Sequence, residues 1–114
     1  MKSASGAHTG TGTWLLQRAT AVVMALGVPL LAWQIIAAAP LDYATWRAVF
    51  APLWMRLVML IFTVAVALHA WVGMRDILMD YVRHTGVRLA LTLAVIVTLA
   101  ACVLWMAAVL WGAR

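Results

Sequence analysis

The stretch Leu68-His69-Ala70-Trp71-Val72-Gly73-Met74-Arg75-Asp76-Ile77-Leu78-Met79-Asp80-Tyr81 begins inside an apolar run and ends among charges. The run starts near Leu53 and reaches about Leu78. At ~1.5 Å per helical residue it is long enough to cross a hydrocarbon core of ~30 Å. His69 therefore sits within a membrane span, roughly 13 Å from its end. The Asp80-Tyr81 pair sits where the span meets water.

The rest of the chain reads the same way. Its 114 residues are 68% hydrophobic and 10% charged, with a mean hydropathy of +1.05. A soluble domain carries roughly 25% charged residues, and a chain this short has too little interior to hide so much apolar surface. The bilayer is the expected solvent. A net charge of +5 and a pI near 10.8 invite a nucleic-acid reading. The basic residues, however, are scattered and lie mostly near span ends, the pattern that topology control produces. No nucleic-acid partner is expected. The single Cys102 lies in an apolar run. It offers no disulfide framework and is assigned to packing.

Residues 1–13 are small and polar without periodicity, which predicts a flexible tail, with Lys2 and His8 in solvent. Residues 14–114 form the membrane domain, with spans predicted at about 14–39, 53–78 and 89–111. Trp14, Trp33, Trp105 and Trp111 are candidate interfacial anchors. Pro29 falls in the middle of the first span, where it removes a hydrogen bond and bends the axis. Ala37-Ala38-Ala39 resembles a signal-cleavage site, but the preceding apolar run is too long and Pro40 follows directly, so the span is retained. Between the first two spans, Asp42 is placed to cap a short surface helix that sets Tyr43, Trp46 and Phe50 near one face. The alanines of the third span permit close helix packing. Gly86, with mixed charges around it, marks a turn in water between the last two spans. The fold class is an all-α membrane protein with three transmembrane helices and a short interfacial segment between the first two.

Orientation follows from the basic residues. Lys2, Arg18, Arg75, Arg83 and Arg88 fall on one side, against Arg47, Arg56 and Arg114 on the other. The excess puts the N-terminus in the cytoplasm and the C-terminus across the membrane.

Ionisable groups inside spans are rare and costly unless paired. For His69 two readings stand side by side: a ligand, or an interhelical hydrogen bond. Phe62, Ala65, His69, Gly73, Asp76 and Asp80 recur at spacings of three and four, which places them on one helix face. The small residues in that stripe leave room for a flat macrocycle, or let another helix approach. A neutral imidazole is a good axial ligand for haem iron. With one histidine at depth, a bis-histidine haem needs its second ligand from a partner subunit. Arg18, about one turn into the first span, either snorkels to the interface or pairs with an anion between helices. Tyr81 alone reads as a belt tyrosine, Asp80 as a helix-end charge, and Arg75-Asp76 as a local ion pair or part of a ligand entrance.

The run from Leu68 to Met74, followed by Asp80-Tyr81-Val82, resembles the D-type hydrophobic membrane anchor subunit of bacterial succinate dehydrogenase. The histidine, the glycine four residues on and the Asp-Tyr at eleven and twelve residues match the family pattern. Arg18-Ala19-Thr20-Ala21, the overall length, the three-span plan and Leu110-Trp111-Gly112 agree with it. The resemblance implies a chain that does no chemistry alone within a four-subunit succinate:quinone oxidoreductase. Its partners are then a companion cytochrome b anchor, an iron-sulfur subunit and a flavoprotein subunit in the bacterial inner membrane, with a periplasmic C-terminus. A trimer of such heterotetramers is compatible with it. It also implies that His69 is an axial ligand of haem b, that Arg18 approaches a haem propionate, that Tyr81 hydrogen-bonds a ubiquinone carbonyl, and that Asp80 lies beside it. Arg75-Asp76 departs from the less charged residues of the family. The rival readings are the cytochrome b anchor of another membrane dehydrogenase and a haem-free structural anchor.

Overall fold

The computed structural model describes residues 4–112, all of them in or between helices. Lys2 and Arg114, used above for orientation, lie outside the described residues, as does the side chain of His8. Helix α1 spans Ala4–Ala37, α2 Tyr43–Val49, α3 Leu53–Tyr81 and α4 Thr85–Gly112. Three of these contain stretches long and apolar enough to cross a membrane: Gly12–Ala37, Leu53–Tyr81 and Thr85–Gly112. The chain is a multi-pass membrane protein of the all-α class.

The long helices extend beyond the apolar runs, except that α1 stops at Ala37. α1 begins at Ala4, so most of the stretch read as a tail continues the helix. α3 runs on through Asp80 and Tyr81. His69 therefore lies roughly 18 Å from the end of its helix rather than 13 Å. α4 starts at Thr85, leaving only Val82, Arg83 and His84 as a link. Gly86 accordingly lies in the first turn of α4 and marks no turn of its own. Its place there has a reason: the His84 ring folds back to cap the helix, accepting the Val87 N–H at Nδ1 at 3.2 Å. A Cβ at position 86 would stand 3.2 Å from that ring. α1 continues through Pro29 without interruption.

The interfacial segment forms as the sequence predicts. Asp42 Oδ1 accepts the Thr45 N–H at 2.8 Å, and the Asp42 N–H donates to Thr45 Oγ1 at 2.8 Å. This reciprocal cap satisfies two otherwise orphaned donors. The Thr45 amide, then the Thr45 hydroxyl, hold the Asp42 carboxyl below its ordinary pKa. Trp46 and Phe50 meet edge-to-face at 5.0 Å. With Tyr43 and Arg47 they close over the ends of α3 and α4, around a cleft of about 360 Å³ that Met59, Met106 and Leu110 also line.

α3 packs against both α1 and α4, which make no substantial contact with each other. The result is a layer 56 × 26 × 20 Å in extent rather than a closed bundle. Among the described residues few side chains are buried: Met55, Ala65, Val72 and Leu78 of the central helix, Leu110 of α4, and one polar residue, Thr20. Trp14, Trp33 and Trp105 face outward, as belt residues do. Cys102 is also exposed, on the outer face of α4 beside Thr98 and Trp105. Its assignment to packing fails within this chain, because α4 has a helix on one side only.

Two contacts fix how α1 and α3 meet. Thr20 faces His69, and Gly27 faces Phe62 so closely that a Cβ at Gly27 would overlap the ring. Along each helix seven residues separate the two contacts, in opposite directions, so the helices are antiparallel with a heptad-like seam. A small residue at such a crossing lets backbones approach in lipid, where association rests on packing. Gly27→Val is therefore expected to cost about 1–3 kcal/mol by overpacking. The thermal stability of the assembled complex reads this directly, and a variant as stable as wild type would show that the seam is looser.

Candidate functional site

The predicted stripe on α3 divides in two. Its inner part, Phe62, Ala65 and His69, turns toward α1. Its outer part, Asp76 and Asp80, is exposed near the helix end. Gly73 lies between, and a Cβ there would meet nothing within 4 Å. One turn beyond His69 the groove is thus open.

His69 is partly buried, and its Nδ1 lies 3.1 Å from Thr20 Oγ1. The interhelical hydrogen bond is real. It does not compete with a ligand role, because it occupies one nitrogen only. Nε2, on the other edge of the ring, has no partner among the described residues. The Thr20 hydroxyl also reaches the carbonyl oxygens of Leu16 at 2.8 Å and Gln17 at 3.0 Å. Such back-bonding to the preceding turn is the usual habit of a threonine in a helix. Gln17, one turn from Thr20, keeps a buried Oε1 without a partner among the described residues. Among the described residues no cluster of three or more His, Cys, Asp or Glu side chains forms.

Thr20 was not singled out by sequence reasoning. Its signal was a hydroxyl on the span preceding the histidine span, but only the register of the two helices says that the two residues meet.

Arg18 is exposed, with its guanidinium 5.1 Å from the centroid of the Trp14 ring. It lies two residues from Thr20, so it points about 200° away around the helix and away from the seam. The structure does not bring it to His69. The pairing with Trp14 is a cation–π contact of the kind found at membrane interfaces.

Asp80 and Tyr81 occupy the last turn of α3. Tyr81 is 79% exposed, and among the described residues neither its hydroxyl nor the Asp80 carboxylate has a hydrogen-bond partner. Asp80 continues the face of His69, whereas Tyr81 is turned about 100° from it. Arg75 and Asp76 form no ion pair among the described residues. Adjacent residues on a helix point apart, which removes the local-pair reading.

An imidazole with one nitrogen fixed and the other free, set at membrane depth, can ligate a metal centre. A phenol and a carboxylate at the water end of the same helix can donate to and orient a polar head group. Residues 2–109 match the family described as succinate dehydrogenase/fumarate reductase transmembrane subunit. The chain is also 34% identical over 86 residues to a succinate dehydrogenase hydrophobic membrane anchor subunit of Coxiella burnetii (strain RSA 493 / Nine Mile phase I), covering 75% of each chain. A three-span layer with this histidine, this Asp-Tyr end and this match across most of its length belongs to the succinate dehydrogenase membrane anchor subunits.

Proposed function

We propose that this chain holds one side of a haem b and one wall of the ubiquinone-reduction site in a succinate:quinone oxidoreductase. The observation that carries this reading is the state of His69: Nδ1 engaged by Thr20, Nε2 free, in a groove left open at Gly73. These residues fit the group. Haem b bound there supplies a one-electron redox centre at membrane depth. His69 Nε2 would hold the iron from this chain, and the companion anchor subunit would supply a further ligand. Arg18, over the Trp14 ring and turned away from the His69 seam, would have to leave that face to pair with a propionate.

At the water end, Tyr81 donates a hydrogen bond to a quinone carbonyl and stabilises the negative charge that grows on it. Asp80 orients that hydroxyl or passes protons from water. Conversion of quinone to quinol takes two electrons and two protons. The electrons come from succinate through the flavoprotein and iron-sulfur subunits, and the protons enter from the side on which α3 ends. That side is the cytoplasmic one if the basic-residue excess sets topology, with the chain in the bacterial inner membrane.

The test is purification of the tagged chain from its own membranes. It is expected to bring down an iron-sulfur protein, a flavoprotein and a second small membrane chain, with a b-type spectrum on reduction. The same complex without haem would favour a purely structural anchor.

A further inference from the structure

Thr20 is the only buried polar residue among those described, at 5% exposure, and its hydroxyl contacts three groups. A hydroxyl has one hydrogen to donate and two lone pairs. The shortest contact, 2.8 Å, is to the Leu16 carbonyl, and a second carbonyl, of Gln17, stands at 3.0 Å. Neither carbonyl can donate, so both compete for that one hydrogen. The His69 ring, at 3.1 Å, can donate. The arrangement that satisfies all the groups runs one way: His69 Nδ1–H donates to Thr20 Oγ1, and the Thr20 hydroxyl donates to the Leu16 carbonyl. The reverse arrangement leaves the hydroxyl's acceptor capacity unused in an apolar seam, where unmade hydrogen bonds are costly.

We propose that Thr20 is a positioning residue that fixes the tautomer and ring angle of His69, so that Nε2 carries the lone pair presented to the haem iron. The inference rests on the haem reading of His69 given above. Thr20 touches neither iron nor quinone. It acts through the ring, by accepting from Nδ1–H and making the imidazole a stronger donor at Nε2. Partners of this kind typically change metal affinity about 10–100-fold. The back-bond to Leu16 holds the acceptor still, because the hydroxyl's rotamer is set by its own helix.

The test uses the assembled complex carrying Thr20→Val, Thr20→Ala or Thr20→Ser, with haem content, haem midpoint potential and haem transfer to excess apomyoglobin as readouts. Val keeps the shape and removes the acceptor, Ala removes both, and Ser keeps the acceptor. Val and Ala are expected to raise the midpoint potential, since a weaker donor favours the ferric state less, and to release haem about 10–100-fold more readily. Ser is expected to match wild type in both. Wild-type behaviour of Val and Ala would overturn the assignment, and so would a Ser variant shifted as far as Val. Loss of assembly in both Val and Ala, with Ser intact, would overturn it in favour of a helix-pairing role for the hydrogen bond. A His69→Ala complex run alongside separates the two inferences. If it keeps the wild-type haem spectrum, the haem reading falls. If it alone changes the haem while every Thr20 variant stays normal, only the Thr20 assignment falls.

Discussion

His69→Ala is expected to abolish the low-spin spectrum of six-coordinate haem b in the assembled complex, by loss of the haem or by its conversion to a five-coordinate form. Affinity should fall by at least the roughly 10–100-fold that loss of a mere supporting partner causes. The substitution is unusually clean for a residue at this depth. Among the described residues His69 makes one side-chain hydrogen bond, to Thr20, and the Thr20 hydroxyl keeps its donation to the Leu16 carbonyl when the ring is gone, losing only the donor to its oxygen. Interhelical hydrogen bonds in membranes are worth only about 0.6 kcal/mol on average. The seam keeps its packing at Gly27 and Phe62, two turns away. Assembly should therefore survive, and succinate oxidation with a soluble artificial acceptor should persist as evidence that it has. An unaltered haem spectrum in that assembled variant would end the ligand assignment and leave His69 as a helix-pairing residue. A complex that no longer assembles would instead show that the Thr20–His69 contact matters more to the fold than its strength suggests.

The features legible in the sequence are those set by local rules. Span number follows from hydropathy and length. The α2 cap follows from an aspartate three residues before a threonine, because both ends of that reciprocal bond lie within one turn. The stripe on α3 follows from helical period alone. What stayed hidden depends on register between helices. Nothing in the residues around Thr20 or His69 says that these two positions meet. The same blindness explains Gly27, whose meaning comes from a phenylalanine on another helix.

Helix ends are hidden for a different reason. Charge marks the edge of the apolar run near Leu78, and Gly86 carries the composition of a turn. A helix need not end where the hydrocarbon does. α3 carries Asp80 and Tyr81 out on its final turn, and α4 starts on an unusual histidine cap that propensity does not flag. The consequence for the site is concrete. Asp80 and Tyr81 are held on a rigid helix rather than a flexible link, at a fixed rise from His69 of roughly 17 and 18 Å.

That rigidity makes Tyr81→Phe the sharper of the tests at the water end. The phenol is exposed, and among the described residues its hydroxyl has no partner. Surface substitutions of this kind usually change stability by no more than about 0.5 kcal/mol. Whatever the variant loses is therefore chemistry rather than fold. Removing one preorganised donor from a site where negative charge grows on oxygen costs about 100-fold or more in rate when the site is dry. Tyr81 lies at the membrane surface, so quinone reduction should fall by up to roughly that lower bound. Succinate oxidation with an artificial acceptor that bypasses the membrane should be unchanged, because the flavin and iron-sulfur centres lie upstream. Equal loss of both activities would mean that Tyr81 supports docking of the soluble subunits, and equal retention would return it to the role of an interfacial belt tyrosine. Asp80→Asn in parallel separates the two members of the pair. If the carboxylate relays protons or orients the phenol, its loss slows quinone reduction in the same assay while the hydrogen-bonding hydroxyl is still present, and adding Tyr81→Phe to it should cost less than the two single effects combined.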